Sequence, residues 1–311
     1  MIDISIVICT FHRPAQLRRA IVTCLAQQTH RSFEIVVVDN SLEGDARPVI
    51  EGFGIEPRLV HVGLPRPNIA LARNAGLAAA RGELIAFLDD DQEASPGWIE
   101  ALAVTMQRGG ADVVFGPISP RFVGGVAPDW DPQGWRFARR LALPSGAPVD
   151  VTGAPPGSAR GIGTGNSMLR RATIGPATAF ASRFGQTGGE DTDFFFRLAR
   201  QGCRILWCAE AEVVETVPAE RATLAYMIER TRHGGRLFVA MARRNSPHPR
   251  RTAALLLARA AAQLLLWLPL MSAPARLRLR ARFRVASALG KLTWWRLQRP
   301  YGRPAAAAAA A

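Results

Sequence analysis

The sequence has few cysteines and none of the patterns that make cysteine a structural element. Only four of its 311 residues are cysteine. None of them forms a CxxC pair, and the five histidines do not cluster around them, which argues against a zinc site. Two lie in apolar runs and two flank the short apolar stretch ILW, so we expect reduced thiols in a cytosolic compartment. The four are Cys9, Cys24, Cys203 and Cys208.

The N-terminal segment lacks the basic residues that open a secretory signal. It reads MIDISIVICTFHRP and has an acidic residue at Asp3, so we predict a first β-strand and no signal peptide. Hydrophobic residues make up 48% of the chain. This fraction excludes a disordered, collagen-like or disulfide-scaffold protein.

Acidic residues are almost missing from the last third of the chain. The formal net charge is +14, yet residues 1–218 carry 21 arginines against 23 acidic residues, a balance of −2. Residues 219–311 carry 18 basic residues against only Glu220 and Glu229, a balance of +16. We therefore predict a globular domain over 1–218, a basic and apolar helical region over 219–304, and a low-complexity alanine tail over 305–311.

Short apolar strands alternate with helical patterns through the first domain. Strands are predicted at 4–9, 33–38, 58–62, 83–88 and 112–115, with one or two more over 204–217; helices are predicted at 15–28, 69–80, 96–106 and 190–201. Strands that are apolar throughout are buried on both faces. The pattern predicts an α/β fold with a mostly parallel sheet and helices on both faces.

Polar residues follow three of these strands directly. Thr10 ends the first, Asp39 ends the second, and Asp89, Asp90 and Asp91 follow the strand LIAFL. Ligands of parallel α/β sheets bind at the carboxyl ends of the strands. We therefore expect these side chains to belong to one site.

The three consecutive carboxylates repel one another and are stabilised by a cation. In an extended segment Asp89 and Asp91 would share one face. Mg²⁺ or Mn²⁺ takes carboxylate oxygens and leaves positions for phosphate oxygens. The alternative is an acidic cap for the helix that begins near Ser95 and Pro96.

Several motifs together resemble family 2 glycosyltransferases of the GT-A fold. They read ISIVICTFHRP, EIVVVDNS, NIALARNAGLAAARGELIAFLDDD, GTGNSMLRR and GGEDTDFFFRLARQGCRILWCAEAEVVETVP. Their order and spacing agree with the family over about residues 3–218. The late E-x-V-P segment is similar to succinoglycan-type bacterial polysaccharide glycosyltransferases.

The resemblance implies a nucleotide pocket and a metal site. It assigns nucleotide binding to Thr10, Arg13, Asp39, Asn68, Arg73, Asp89 and Asp90, and metal binding to Asp89 and Asp91, with Asp91 the direct contact. Within this set it makes Asp39 the acceptor of a hydrogen bond from uracil. Two alternatives stay open: Asp39 as the N-cap of the next helix, and Arg73 in a salt bridge on a helix surface.

A second acidic motif, Gly188-Gly189-Glu190-Asp191, precedes the helix predicted at 190–201. Sugar transfer with inversion needs a carboxylate that takes the proton of the acceptor hydroxyl. The resemblance implies that Asp191 is this base and that Glu190 orients the acceptor or supports Asp191. The alternative is helix capping alone, because acids at a helix N-terminus are stabilised by the macrodipole.

Three further positions follow from the resemblance. Where the family commonly has a metal-binding histidine, this chain has Glu215, which can coordinate the same hard cation; a surface charge on a strand is the alternative. Residues 163–166 are expected to form a loop that faces the sugar or the acceptor. Near His233, Arg230 and Arg232 could reach the diphosphate, or form a solvated basic face.

The basic third contains a 24-residue apolar stretch, 252–275, whose only charge is Arg259. A helix of this length could span a bilayer. Arg259 would cost about 2.5–3.5 kcal/mol near the centre, prolines 269 and 274 shorten the helix, and both flanks are basic. We therefore expect a helix seated on an anionic membrane surface, with spanning or soluble packing as alternatives.

The leading hypothesis is an inverting glycosyltransferase that depends on Mn²⁺ or Mg²⁺. It would move a sugar from a UDP-linked donor to a saccharide acceptor, which we expect to be lipid-linked. The reaction would take place at the cytoplasmic face of the membrane, and no nucleic-acid partner is expected. An Arg-rich nucleic-acid-binding protein is one alternative, although no recognition motif supports it. A sugar nucleotidyltransferase is another, but its first loop would be glycine-rich, and FHRP contains no glycine.

Overall fold

Within the part of the chain that the structure describes, ten strands form two sheets. The computed structural model describes residues 2–151, 162–175, 178–299 and 301; the predicted alanine tail lies outside these residues. In chain order the strands are β1 (Ile4–Thr10), β2 (Phe33–Asp39), β3 (Leu59–Gly63), β4 (Leu84–Phe87), β5 (Gln92–Ala94), β6 (Val113–Phe115), β7 (Ile118–Phe122), β8 (Ser167–Arg170), β9 (Ile205–Trp207) and β10 (Val213–Val217). The helices are α1 (Pro14–Leu25), α2 (Ala46–Glu51), α3 (Ile69–Ala79), α4 (Trp98–Gly109), α5 (Glu190–Arg200), α6 (Leu224–Arg244), α7 (Pro249–Trp267) and α8 (Ala275–Leu292).

The large sheet has the strand order β3-β2-β1-β4-β8-β6-β9. Its strands run parallel except β8, which pairs antiparallel with β4 and β6. The prediction of a mostly parallel sheet is therefore confirmed. The antiparallel strand β8 was not predicted, because its four residues, SMLR, contain only two apolar positions and show no strand pattern.

Helices cover both faces of this sheet. Ile4, Ile6 and Ile8 of β1 point to the face packed by α1 and α4, where a fully buried Trp98 lies. Val7 points to the opposite face, which α3 and α5 cover. The strands are apolar at successive positions because both of their faces are buried.

The order of the strands reverses direction beside β1. The chain moves outward from β1 through β2 to β3, and then returns to place β4 on the other side of β1. A crevice forms at such a switch point, outside the carboxyl ends of the strands. The residues that follow β1, β2 and β4 line this crevice.

The small sheet has the order β5-β10-β7. β5 follows the acidic residues 89–91, and its Gln92 is opposite Glu215 of β10 in an antiparallel pair. The region predicted as one or two strands is thus two strands in different sheets. The small sheet brings the segment near residue 215 next to the acidic turn.

The last three helices pack on one another and against the domain formed by residues 1–218. α6 and α8 cross closely at two glycines: a Cβ on Gly290 would lie 1.9 Å from the carbonyl oxygen of Arg232, and one on Gly235 would lie 2.4 Å from that of Ser287. α8 buries Phe283 and Val285, while its arginines 276, 278, 280, 282 and 284 are exposed.

α7 is an apolar helix with little cover. Of the residues described, Pro249–Ser272 contains the one helix that is long and apolar enough to cross a membrane, with a mean hydropathy of 1.7 and only 6% of that window buried. Leu265 is 80% exposed. The α-helix ends at Trp267, and Pro269 begins a short 3-10 turn, because proline removes a helix hydrogen-bond donor.

Candidate active site

The three aspartates after β4 form a turn, with Gln92 N donating to Asp89 O at 3.0 Å. The expected extended segment is therefore wrong for Asp90 and Asp91, which lie in this turn. Asp90 is buried and points back to the end of β1, where it accepts from Thr10 Oγ1 at 2.9 Å and Arg13 Nη1 at 2.8 Å. The strand ends meet as the topology requires.

Asp89 lies on the floor of the crevice. Its Oδ1 is 3.9 Å from Arg73 Nη2, and a Cβ on Gly165 would lie 2.4 Å from its Oδ2, so only glycine leaves room for this carboxylate. Burial raises the pKa of Asp89 to about 7; Arg73 opposes this rise, while the charges of Asp91 and Glu215 add to it. Such a carboxylate becomes fully ionised when a cation is close.

Asp91 and Glu215 are the other two carboxylates close to this turn. Asp91 Oδ2 accepts from Arg13 Nη1 at 2.9 Å and lies 3.6 Å from Arg221 Nη1. Glu215 Oε2 accepts from Gln92 Nε2 at 3.3 Å. Burial and the charge of Asp91 raise the pKa of Glu215. Desolvated carboxylates that repel one another are a donor set that suits Mg²⁺ or Mn²⁺.

A different group meets a strict geometric criterion for a metal site. Among the described residues, His12, Glu43 and Asp45 place one ligand atom each within 4.8 Å of the others. His12 and Glu43 are exposed, and His12 Nδ1 is already 2.5 Å from Asp45 Oδ2. The hydrogen bond between His12 and Asp45 accounts for this arrangement without a cation.

The second acidic motif forms the first turn of α5. Gly188 and Gly189 have φ of +80° and +90°, a conformation that favours glycine, and they set the direction in which α5 starts. Asp191 Oδ1 accepts from Thr192 N at 2.6 Å, and Oδ2 receives no hydrogen bond from the described residues. Asp193 instead is buried and accepts from Arg197 Nε at 2.9 Å, which is a structural role.

Arg73 and Glu190 form a buried ion pair across the crevice. Arg73 is 7% exposed and Glu190 is 4% exposed, and Arg73 Nη1 donates to Glu190 Oε1. Burial raises the pKa of Glu190 to about 7, against the effect of Arg73 and together with that of Asp191. Arg73 therefore does not form the surface salt bridge considered from the sequence.

Asp39 makes several contacts within its own loop. The carboxylate is 1% exposed. Its Oδ2 accepts from Ala46 N, the first residue of α2, at 2.7 Å, and its Oδ1 accepts from Ser41 N at 3.0 Å. Asp39 is therefore not the N-cap residue of α2, which is Asp45, although its carboxylate accepts from the first N–H of that helix; hydrogen bonding to a base stays a prediction.

Asn68 caps α3 and ties it to neighbouring loops. Its Oδ1 accepts from Leu71 N at 3.0 Å, and its Nδ2 donates to Ser182 O at 2.9 Å. Its backbone N donates to Asn40 Oδ1 at 2.8 Å. Asn68 therefore positions the wall of the pocket, and a direct nucleotide contact stays a prediction.

Arg139 is a site residue that the sequence did not reveal. It is 2% exposed, and burial lowers its pKa to about 10. Its guanidinium donates to Gly116 O at 2.9 Å, Gly163 O at 3.2 Å and Gly165 O at 2.5 Å. These bonds fix the loop that contacts Asp89. The sequence did not predict this role, because Arg139 lies in a segment rich in Gly, Pro and Trp that has no periodicity.

The loop at 163–166 has two parts. Gly165 faces the crevice, as expected, through its approach to Asp89. Asn166 is fully buried with φ of +54°; it accepts from Trp98 Nε1 at 2.7 Å and donates to Pro117 O at 2.7 Å. The polar side chain of Asn166 is therefore structural, and the backbone at 165 is the part that faces the site.

The basic residues near His233 have separate surroundings. His233 Nε2 is 2.6 Å from Thr187 O and so joins α6 to the loop before α5. Arg232 Nη1 lies 3.9 Å from Glu229, on a helix face. Arg230 is exposed, and its charge lowers the pKa of Glu215, which places it, together with Arg221, near the acidic turn.

Comparisons with known proteins relate this chain to one family. The family model described as Glycosyl transferase family 2 matches residues 5–160. Succinoglycan biosynthesis protein ExoM of Rhizobium meliloti (strain 1021) is 34% identical over 245 residues, which cover 75% of this chain and 73% of that protein. Hyaluronan synthase of Pasteurella multocida is 24% identical over 235 residues, covering 65% of this chain and 23% of the synthase.

A solved structure shares the architecture. S. aureus TarS 1-349 in complex with UDP-GlcNAc has a TM-score of 0.57 and 16% sequence identity, and the match covers 97% of this chain and 98% of that chain. At this identity the likeness concerns the fold alone. The predicted GT-A type of α/β fold is confirmed by it.

Proposed function

Because the chain belongs to glycosyl transferase family 2, we propose that it is an inverting, metal-dependent enzyme of polysaccharide biosynthesis that uses a UDP-sugar. One observation carries the proposal. The acidic turn after β4 and the acidic start of α5 face one another across the crevice, and Arg73 reaches both: it pairs with Glu190 and lies 3.9 Å from Asp89.

The two acidic motifs have different roles in this proposal. Mn²⁺ or Mg²⁺ held by Asp91, with Asp89 and Glu215, would neutralise charge on the diphosphate leaving group. Arg13 and Arg221 already lie at 2.9 and 3.6 Å from Asp91 and add positive charge at the same place. Arg230 supports them from α6.

Asp191 is the general base of the reaction. Thr192 N holds its Oδ1 at 2.6 Å, so the carboxylate is oriented by its own turn, while Oδ2 accepts no hydrogen bond from the described residues. The base takes the proton of the acceptor hydroxyl as that oxygen attacks the anomeric carbon. Glu190 is locked onto Arg73 and keeps the first turn of α5 at a fixed distance from the acidic turn.

The nucleoside end of the donor is assigned to the loops after β1 and β2. Asp39 and Asn68 line this end, and both have side chains that are held by backbone groups. UDP as the nucleotide is supported by the UDP-GlcNAc complex of a protein with the same fold. Such preorganised polar groups fix orientation at little cost in side-chain entropy.

The test is a substitution that removes the base and keeps the pocket. Asp191→Asn should bind UDP with Mn²⁺ as the wild type does, while kcat for transfer from a UDP-sugar falls about 10²–10⁴-fold. Asp193→Asn is the matched control in the same helical turn, since its loss should lower stability but leave kcat of the folded enzyme. Undiminished turnover in Asp191→Asn would overturn the base assignment, and a wild type that binds no UDP would overturn the donor class.

A lipid-linked acceptor and membrane seating are the second part of the proposal. α7 exposes leucines such as Leu265 and Leu266, at 80% and 66%, and exposed arginines flank it at 250, 251, 276 and 278. A helix that lies in an anionic leaflet buries these leucines and keeps the arginines on the headgroups. Each arginine there adds about 1 kcal/mol to the free energy of membrane binding.

A cleft lies between Trp130 and the N-terminal half of α8. It encloses about 650 Å³ and includes Trp130 with Arg276, Arg278 and Arg282 in its lining. Trp130 Nε1 donates to Ala222 O at 3.0 Å, one residue from the arginine that lies beside Asp91. An anionic group of a lipid-linked acceptor held here would lie between membrane and site.

Vesicle sedimentation tests membrane seating. The double variant Leu265→Ser with Leu266→Ser should lose binding to vesicles that contain phosphatidylglycerol. Val126→Ser, at an equally exposed apolar residue of the catalytic half (75% exposed), should bind like the wild type. Equal binding of all three proteins would exclude α7 as the membrane contact.

A further inference from the structure

Tyr301 lies in the crevice rather than on the surface. Its hydroxyl donates to Asn40 Oδ1 at 3.1 Å, and its backbone N donates to Gln186 O at 3.3 Å. Its ring lies 5.3 Å from that of Phe11, with 36° between the planes. A residue that follows α8 thus contacts the loops after β1 and β2 and the loop before α5.

The surroundings of Tyr301 are those of the donor pocket. Burial raises the pKa of its hydroxyl, the charge of Asp90 adds to this rise, and that of Arg73 opposes it. These are the side chains of the proposed site. The phenol therefore lies within electrostatic reach of the groups assigned to the nucleotide.

The side-chain amide of Asn40 is oriented so that its oxygen accepts a hydrogen bond at this position. Its Nδ2 donates to Leu64 O at 2.9 Å and Arg66 O at 2.8 Å, which fixes the amide. Its Oδ1 is consequently aimed at Asn68 N and at the Tyr301 hydroxyl. A flat ring beside Phe11 with a hydrogen-bond donor toward Asn40 has the recognition features of a nucleobase.

We propose that Tyr301 is an intramolecular occupant of the nucleoside end of the pocket, and that the nucleotide must displace it. The inference rests on the proposed function, which puts a nucleotide at this place. A competitor within the chain lowers the apparent affinity for the ligand by the fraction of open molecules. A Tyr301 side chain that occupies the pocket in about nine-tenths of the molecules would weaken nucleotide binding about tenfold.

Calorimetric titration of UDP with Mn²⁺ tests the proposal on the full chain. Tyr301→Ala should bind UDP about tenfold more tightly than the wild type. Tyr301→Phe, which keeps the ring and loses the bond to Asn40, should lie between the two. Tyr226→Ala is the matched control, because Tyr226 on α6 is the other tyrosine of the chain and is 36% exposed.

The direction of the change decides the matter. Weaker UDP binding by Tyr301→Ala would mean that the ring is a wall of the pocket, and unchanged binding would mean that it is a bystander; either overturns the proposal. Absence of UDP binding in every variant would overturn the proposed function and this inference with it, whereas wild-type binding without a gain in Tyr301→Ala overturns this inference alone.

A spectroscopic readout is independent of activity. With only two tyrosines, 3-fluorotyrosine labelling yields two fluorine resonances, which Tyr226→Phe assigns. Saturating UDP should move the Tyr301 resonance to the narrow, solvent-exposed range and leave that of Tyr226 in place. A Tyr301 resonance that stays broad and buried at saturation would contradict displacement.

Discussion

Arg73 of α3 and Glu190 of α5 form a buried ion pair that joins the two acidic motifs of the site. They are 117 positions apart in the chain, and the sheet brings them together. Since Arg73 also lies 3.9 Å from Asp89, one guanidinium sets the spacing between the acidic turn and the start of α5.

Removing one residue of the Arg73–Glu190 pair should lower the free energy of unfolding more than removing both residues. Arg73→Met leaves Glu190 buried without a counter-charge, so we expect a loss of about 3–5 kcal/mol in the free energy of unfolding. Arg73→Met combined with Glu190→Gln should lose less, because no lone charge stays buried. Urea unfolding measures both.

An exposed ion pair is the control for this comparison. Arg47 and Glu51 form one on α2, at 3.0 Å and 72% and 64% exposure, so Arg47→Met should change stability by no more than about 0.5 kcal/mol. If the single and double variants at 73 and 190 were equally destabilised, the pair would not be the electrostatic link described above.

Metal binding should depend on Asp91. Asp91→Asn replaces a charged oxygen ligand by a neutral one, and we expect the affinity for Mn²⁺ in the presence of UDP to fall by more than about tenfold. Electron paramagnetic resonance of free Mn²⁺ gives this value directly. His12→Ala removes a member of the exposed group formed with Glu43 and Asp45 and should leave Mn²⁺ affinity unchanged; a loss there instead would relocate the metal.

Two glycines of the helical layer should respond in opposite directions. Gly290→Ala puts a methyl group 1.9 Å from the Arg232 carbonyl, so α6 and α8 must separate, at a cost of about 1–3 kcal/mol. Gly234→Ala on α6 meets no atom within 4 Å and should stabilise by up to about 1 kcal/mol through helix propensity. Thermal unfolding compares them, and a neutral Gly290→Ala would mean that the two helices do not depend on this close contact.

Stability should fall in acid partly through Glu34. This carboxylate is 1% exposed and accepts from Ser5 Oγ at 2.7 Å and from Arg81 Nε at 2.7 Å. Burial by itself would raise the pKa of Glu34, but the hydrogen bonds from Arg81 and Ser5 lower it below the ordinary value of 4.5. The stabilisation is therefore complete above pH 4.5 and is lost as the pH falls toward the folded-state pKa.

Glu34→Gln isolates this contribution. At pH 7 we expect a loss of about 1.5–3 kcal/mol in urea unfolding, and the difference from the wild type should shrink as the pH is lowered below 4.5. A difference that is constant between pH 7 and pH 3.5 would mean that the charge of Glu34 does not contribute.

The sequence contained enough to place the acidic turn. Continuous apolar runs identified β1, β2 and β4, and a polar residue follows each run directly. The residues at the carboxyl ends of these strands could therefore be predicted from the sequence. The structure confirms the consequence in the 2.9 Å bond between Thr10 and Asp90. Local periodicity determines where strands end, and the parallel arrangement makes those ends adjacent.

Other parts of the site have no local signal. Arg139 interacts with carbonyl groups of two distant loops, and β8 runs antiparallel within an otherwise parallel sheet. The small sheet brings Glu215 opposite Gln92, 123 positions away. These are contacts between segments whose own sequences are compatible with many partners.

The alternation of arginines with apolar residues in the C-terminal third is likewise explained only by the tertiary structure. No clean helical stripe is visible in the sequence RLRLRARFRV by itself. In the structure, α8 buries Phe283 and Val285 against its neighbours and exposes the arginines of this run. The sequence determined that this third is basic and that α7 is apolar, because composition is local. The tertiary structure decided that α7 stays uncovered, that Arg73 serves two motifs, and that Tyr301 lies in the crevice. Those outcomes depend on which surfaces meet, and long-range packing selects them.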